Sequence, residues 1–258
     1  MDVPTFFMYP QYSLPKKAVI ALAFDALLSR HRSFREDALV CIDQLEPPLR
    51  VLGWENIPQQ GPCVITVNHY HHEGFSAEWL ALAISATVPV DIHWVMTGEF
   101  TYPGKWYEFF GSMGSRFLLG HIASAYGFST MPPMPPRPKD VEARAAAVRK
   151  VLEYVRRAKD PILGLAPEGH DPVGRGGALA KPASGFGRFA LLLSSAGLRF
   201  IPVGAHDEQG FFTIQFGEAY ELDVPRGLSS DEKDAQAANI IMVRIAKLLP
   251  MHLQGEFA

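Results

Sequence analysis

A histidine at the end of a predicted strand is the residue of this chain best placed to do chemistry. The β-branched run at residues 64–67 predicts a buried strand that stops just before His69. A polar loop closed by Gly74 follows, and Ser76 is suited to cap a helix that begins at residue 77. An imidazole at this position can take up and release a proton near neutral pH, beside the N–H groups of a helix start. We therefore predict acid–base chemistry at this edge of the sheet.

A second predicted strand, at residues 162–166, also runs directly into a polar loop, which begins Pro167-Glu168-Gly169. Ligands of α/β sheets bind at the carboxyl ends of the strands, so the two loops are expected to face one crevice. Glu168 could position a substrate there, and Gly169 would allow the backbone to approach it closely. A turn that needs glycine explains Gly169 equally well, but it does not explain the proline and the glutamate that precede it.

Strand and helix patterns alternate along most of the chain, which predicts an α/β fold with a largely parallel sheet flanked by helices. The predicted strands span residues 49–53, 64–67, 90–96, 162–166 and 199–203, with an edge strand at 211–216. The predicted helices span residues 16–31, 76–87, 139–159, 184–196 and 231–249, and residues 105–126 are expected to be helix broken by glycines. We expect residues 1–48 to form an N-terminal arm and helix packed on a main domain at 49–258.

The composition limits the class of protein and its surroundings. The chain has 258 residues, of which 48% are hydrophobic and 20% are charged, as is typical of a globular protein with one large core. Its net charge of -3 provides no strong field for nucleic acid. Cys41 and Cys63 do not form a disulfide framework, and an early Pro4 and an interrupting Asp25 argue against a signal peptide. These features favour the cytoplasm, with peripheral contact to the inner face of a membrane left open.

Four blocks of residues resemble the glycerolipid acyltransferase family, which acylates glycerol-3-phosphate and lysophosphatidate. In chain order they are a strand running into Asn68-His69, Leu165-Ala-Pro-Glu-Gly169, Lys181-Pro-Ala-Ser-Gly185 followed by Arg188, and Ile201-Pro-Val-Gly204. The resemblance covers roughly residues 49–220. It implies transfer of a fatty acyl group from acyl-CoA or acyl carrier protein to a hydroxyl of a glycerolipid or related acceptor, with no resident cofactor.

The chain departs from the family pattern at three places. The family carries His-x4-Asp, and counting from His69 the aspartate position is Gly74. The family continues its Glu-Gly block with Thr-Arg, whereas this chain has His170 and Asp171. Near the proline-rich stretch at 131–138, where the family has another arginine, only Arg137 is available.

By resemblance, His69 is the general base and a nearby carboxylate replaces the lost aspartate. Glu73, one residue before the expected place, is the first candidate for that partner, and Glu78 is the second. The predicted acceptor- and phosphate-binding residues are Glu168, Gly169, His170, Arg175 and Lys181. Arg188 is interpreted instead as a structural or surface residue of a helix.

Two other functions remain open from the sequence. Because Gly74 replaces the aspartate, the protein could be a non-catalytic relative that binds acyl-CoA or acyl lipids. His69, His71, His72 and Glu73 could also form the centre of a metal-dependent hydrolase, although no recognised spacing places a further ligand, and solvated loop histidines are the commoner explanation. We therefore expect no metal.

Two apolar segments have an open interpretation. The aromatic segment at 102–117 either lines a groove for an acyl chain or packs in the core. The amphipathic segment at 16–31 either packs on the core or lies on a membrane surface, with Phe6, Phe7 and the lysines at 16–17 as anchors.

Overall fold

The computed structural model describes residues 10–28, 30–102, 104–134, 137–169 and 176–258. Within these ranges seven strands form one sheet in the order β1-β7-β6-β2-β5-β3-β4. The strands are β1 (Arg50–Leu52), β2 (Cys63–Val67), β3 (His93–Thr97), β4 (Ser129–Met131), β5 (Ile162–Leu165), β6 (Arg199–Glu208) and β7 (Phe211–Phe216). β7 runs antiparallel to β6, and the other neighbouring pairs are parallel. The predicted α/β class with a largely parallel sheet is confirmed.

The described helices are α1 (Lys16–Leu27), α2 (Phe34–Ile42), α3 (Glu78–Thr87), α4 (Glu108–Tyr126), α5 (Val141–Arg157), α6 (Phe186–Ser195) and α7 (Ser230–Ala246). The start of α7 follows directly from its sequence, because Ser229 and Glu232 form a reciprocal capping box. The core is built around β2, whose five residues are all buried between its parallel neighbours β5 and β6. Such complete burial explains why this strand reads as a continuous apolar run.

Four local predictions were wrong, three about the sheet and the start of α3 and one about α4. The strand at 211–216 is not at the edge, because β1 pairs with it on the side away from β6. Ser76 does not cap α3: its hydroxyl donates to Glu78 at 2.5 Å, and the capping position falls on Ala77. β6 does not end near residue 203 but continues to Glu208, since it pairs with β7 along that whole extension.

The glycines of α4 do not break it. The helix runs without interruption from Glu108 to Tyr126, through Gly111, Gly114 and Gly120. At Gly111 an added Cβ would lie 2.8 Å from the ring of Tyr102, so the glycine makes room for an aromatic side chain. Glycine weakens a helix by only about 1 kcal/mol relative to alanine, and packing of this kind can offset that loss.

No helix within the described ranges has both the length and the apolar character needed to span a bilayer.

Buried His93 makes the fold sensitive to acid. Its ring stacks on Tyr154 with 3.8 Å between the centroids, and its Nε2 lies 2.9 Å from the hydroxyl of Ser129. Burial, with a smaller effect of Lys150, lowers the pKa of His93 to about 4. Because the imidazole in the unfolded chain titrates near 6.5, the unfolded state binds a proton between these two pH values that the folded state does not.

We therefore expect the free energy of unfolding to fall by about 3 kcal/mol through this residue as the pH drops from about 6.5 to about 4. Urea unfolding at several pH values should show that His93→Gln, which cannot titrate, lacks this part of the pH dependence. His31→Gln at an exposed position is the matched control and should keep it. An unchanged pH dependence in His93→Gln would contradict the prediction.

Candidate functional site

The end of β2 is fixed to β6 by a buried side-chain amide. Asn68 Nδ2 donates to the carbonyl of Ala205 at 2.8 Å, and Asn68 Oδ1 accepts from the Ala205 N–H at 2.7 Å. Asn68 is fully buried, so the paired amide replaces water for both backbone groups. This arrangement sets the point at which the chain leaves the sheet and brings half-buried His69 to the carboxyl edge.

Glu168 joins the two predicted loops. Its Oε2 accepts the backbone N–H of His69 at 2.5 Å, and its Oε1 accepts the backbone N–H of Ala180 at 2.6 Å. Glu168 is only 1% exposed, so both hydrogen bonds lie in a place with little water. His69 and the Pro-Glu-Gly turn therefore lie together, as the strand order required. The catalytic role of His69 and the acceptor-binding role of Glu168 stay predictions.

Gly169 adopts a backbone conformation that favours glycine. Its φ is +69°, and an added Cβ would lie 2.9 Å from Cγ of Met134. The turn therefore needs glycine both for its dihedral angle and for the close approach of Met134. The predicted binding role of Gly169 is not needed to explain the residue type.

Beside this turn lies a largely apolar cleft of about 170 Å³ at the carboxyl ends of β3, β4 and β5. Its walls include Thr97, Met131, Met134, Gly169, Phe186 and Phe189. Unbranched, polarisable methionine side chains adapt to irregular apolar shapes, which suits a flexible hydrocarbon chain. Arg144 on α5 is a cation at the cleft wall, and its guanidinium donates to the carbonyl of Pro133 at 3.0 Å.

The two predicted partners of His69, Glu73 and Glu78, are both exposed. Glu73 is exposed, and no hydrogen bond or ion pair joins its carboxylate to His69. Its backbone carbonyl lies 2.7 Å from Nδ1 of His72 instead. Glu78 is exposed and accepts the hydroxyl of Ser76. The partner role of either glutamate remains a prediction.

The predicted cations are spread over several surfaces. Lys181 is exposed and directly follows Ala180, whose N–H binds Glu168. Arg188 lies 3.3 Å from Asp231, as expected for a surface residue of a helix. Arg137 is held by Asp140 and, at 3.1 Å, by buried Glu99, so its charge is already compensated.

His170, Asp171 and Arg175 lie outside the described residues. The structure therefore does not test the binding roles predicted for His170 and Arg175.

A second histidine on the same loop is half-buried and contacts a buried carboxylate. His72 Nε2 lies 2.7 Å from Oδ2 of Asp207, whose other oxygen accepts the hydroxyl of Tyr12 at 2.5 Å. Burial raises the pKa of Asp207, and the hydrogen bonds from Tyr12 and His72 oppose that rise. The carbonyl of Glu73 can only accept, so His72 Nδ1 carries a proton, and a further proton is held between Nε2 and Asp207. Both ring nitrogens are thus occupied, and the pair anchors the loop to β6.

Sequence reasoning missed Asp207 and Tyr12. Asp207 reaches this edge only because β6 continues past the point where Pro202 and a glycine suggested a stop. The mostly apolar run from Phe200 to Ala205 was the available signal in the sequence. Tyr12 belongs to the N-terminal arm. Its ring packs on Phe75 and Phe212, and no local sequence pattern predicts these contacts.

No group of three or more metal-ligating side chains occurs among the residues that the structure describes. His72 of the proposed histidine cluster is engaged by Asp207.

Comparisons with known proteins find one distant structural similarity. No protein-family model matches this chain, and no curated protein sequence matches it significantly. Among solved structures, the chain is similar to the 1-acyl-sn-glycerophosphate (LPA) acyltransferase PlsC from Thermotoga maritima. The two share 15% sequence identity with a TM-score of 0.42, over 88% of this chain and 78% of that chain.

Proposed function

We propose that the protein is an O-acyltransferase that moves a fatty acyl group from a thioester, acyl-CoA or acyl carrier protein, to a hydroxyl of a glycerolipid or related acceptor. The observation that carries the proposal is the hydrogen bond from the His69 backbone to Glu168. It unites the first two blocks of the sequence resemblance in one site. The adjacent apolar cleft has the character that an acyl chain requires.

In the proposed reaction, the imidazole of His69 accepts the proton of the acceptor hydroxyl as its oxygen attacks the thioester carbonyl. A tetrahedral intermediate forms, and backbone N–H groups near the start of α3 stabilise its oxyanion. The carbon–sulfur bond then breaks, the thiolate takes the proton back from the imidazolium, and the ester is released. No acyl-enzyme forms, and Glu168 acts by fixing the backbone of His69.

The acceptor is the least constrained part of the proposal. The family's phosphate-binding arginine position is occupied by Asp171, and Arg137 is compensated by Glu99 and Asp140. Arg144, Lys181 and Arg175 are the remaining candidates for a phosphate contact. We therefore include unphosphorylated alcohols among the candidate acceptors.

The experiment is a screen for thiol release from long-chain acyl-CoA and acyl carrier protein against a panel of phosphorylated and unphosphorylated lipid alcohols. Acceptor-dependent thiol release, with the matching ester seen by mass spectrometry, is the expected result. Release that does not depend on any acceptor would indicate a thioesterase and contradict the proposal.

A second candidate function is non-catalytic binding of acyl-CoA or acyl lipid. It is favoured by Gly74, which stands where the family pattern has its aspartate. Saturable acyl-CoA binding by calorimetry, without turnover for any acceptor in the panel, would favour this function.

A further inference from the structure

The loop that carries His69 is fixed at two points. Its first residue is held by Glu168, and three residues further on His72 is held by Asp207 near the end of β6. The side chain of Asp207 is 6% exposed, and both of its oxygens are engaged: Oδ2 lies 2.7 Å from Nε2 of His72, and Oδ1 accepts the hydroxyl of Tyr12 at 2.5 Å. The loop is therefore held both at its start and near its tip.

The ring of His72 is bound into the turn that follows it. Its Nδ1 lies 2.7 Å from the carbonyl of Glu73, and the carbonyl of His72 accepts the N–H of Phe75 at 3.1 Å. The rings of His72 and Phe75 are 5.3 Å apart, and the two residues form an isolated β-bridge. A displacement of the His72 ring would therefore shift the whole turn at residues 72–75.

Tyr12 closes this cluster from the N-terminal arm. Its ring packs edge-on against Phe75, Trp79 and Phe212, with 4.7, 5.5 and 5.8 Å between the ring centroids. These are favoured distances for edge-to-face aromatic pairs, so the ring has a defined seat from which its hydroxyl reaches the carboxylate. Phe6 and Phe7, the predicted membrane anchors of the arm, lie outside the described residues.

Stability alone does not account for a carboxylate at this place. Burial raises the pKa of Asp207, because the charged form loses its water there. A buried carboxylate paired with a cation is often no more stabilising than apolar residues of the same volume. What the carboxylate does provide is geometry, since its two oxygens fix the ring of His72 and the hydroxyl of Tyr12 relative to each other. The β6–β7 ladder, in which Asp207 lies opposite Phe212, fixes the carboxylate itself.

We propose that Asp207 positions the His69 loop in place of the aspartate that Gly74 replaces. It acts through the ring of His72, and Tyr12 completes the cluster from the arm. This inference rests on the proposed function, in which His69 is the general base. Asp207 acts through the loop and is a positioning residue. The arm then belongs to the active machinery, because its tyrosine holds the same carboxylate.

The decisive variants are Asp207→Ala and Asp207→Asn. Alanine removes both hydrogen bonds. Asparagine keeps both, because its Oδ1 accepts the Tyr12 hydroxyl while its Nδ2 donates to Nε2 of His72, whose Nδ1 carries the ring proton. In Asp207→Ala, kcat for acyl transfer should fall by about 100-fold, the loss expected for a displacement of about 1 Å. The KM for acyl-CoA should change little, because the cleft walls do not include this cluster. Asp207→Asn should retain most of the wild-type kcat.

Tyr12→Phe tests the contribution of the arm. Phenylalanine keeps the packed ring and removes only the hydroxyl, so kcat should fall by roughly tenfold, the equivalent of one net hydrogen bond. The matched control is Glu208→Ala at the next residue of β6. The side chain of Glu208 is 44% exposed, and its ion pair with Arg50 is long, at 3.9 Å. This variant should keep the wild-type kcat.

Amide hydrogen exchange gives a readout that needs no turnover. In a peptide covering residues 69–75, exchange should be at least about tenfold faster in Asp207→Ala than in wild type, and it should also be faster in Tyr12→Phe. Asp207→Asn and Glu208→Ala should exchange as wild type does. Peptides from α7 should be unchanged in every variant, which would show that the fold is intact.

Asp207→Ala with the wild-type kcat, or with a low kcat and unchanged loop exchange, would overturn the inference. Asp207→Asn as inactive as Asp207→Ala would assign the effect to the charge and overturn the positioning role. If Asp207→Ala does not fold, Tyr12→Phe carries the test, and normal kcat and loop exchange in that variant would overturn the inference.

Failure of the proposed function gives a different result. Wild type would then transfer no acyl group to any acceptor, which would refute the proposed function and the catalytic purpose of the cluster. The exchange of residues 69–75 in the same variants would still decide whether Asp207 and Tyr12 order the loop, because that measurement does not depend on turnover.

Discussion

His69→Ala is expected to lower kcat for acyl transfer by about 10²–10⁴-fold, the range that a positioned general base contributes. The KM for acyl-CoA should change little, because the walls of the cleft do not include His69. Initial rates of thiol release at saturating acceptor, over a range of acyl-CoA concentrations, separate these two quantities.

The matched control is His71→Ala, which removes an exposed imidazole two residues away on the same loop. It should keep nearly all of the activity, which would also show that the loop tolerates the loss of a ring. Equal kcat values for His69→Ala and wild type would remove His69 from the mechanism. If wild type and His69→Ala both bound acyl-CoA but neither transferred an acyl group, non-catalytic binding would replace acyl transfer as the function.

The second large effect is expected at Glu168. In Glu168→Ala the backbone N–H groups of His69 and Ala180 both lose a buried acceptor. A buried donor left unsatisfied costs about 1–3 kcal/mol, so the free energy of unfolding should fall by about 2–6 kcal/mol. Activity should fall by about 10²-fold even where the variant is folded, because a shift of His69 by about 1 Å is enough to misalign a base.

Urea unfolding and initial rates measured on the same samples test both parts. Glu168→Gln keeps one acceptor oxygen and should lie between alanine and wild type in stability. Glu153→Ala on the exposed side of α5 is the control, and its stability should change by less than about 0.5 kcal/mol. A Glu168→Ala protein as stable as wild type would show that the two hydrogen bonds contribute nothing to the fold.

Glu168 also illustrates how a motif and its structural role can differ. The sequence places it in the acceptor site through the resemblance of residues 165–169. In the structure its carboxylate is directed at two backbone N–H groups and is almost completely buried. A glutamate can be required for activity in this way without touching the substrate, and the KM for the acceptor distinguishes the two roles.

The amino-acid sequence by itself determined most of the helices and strands and the class of the fold. Local sequence signals predicted several elements well. The apolar run of β2, the serines before α7 and the amphipathic pattern of α5 each predicted an element whose ends lie within a few residues of the observed ends. The sequence also predicted that the His69 and Glu168 loops lie together, because both follow strands of a parallel sheet and such strands end at a common edge.

Tertiary structure alone decided the neighbours of these elements. Whether β7 lies at an edge depends on β1, a segment about 160 residues earlier, and no pattern within 211–216 carries that information. The coupling of His72 to Asp207 likewise joins residues 135 positions apart. The exposure of the α4 aromatic rings is a third case. An apolar stripe of this kind can pack in a core or stay exposed, and only the packing of the other elements determines which one results.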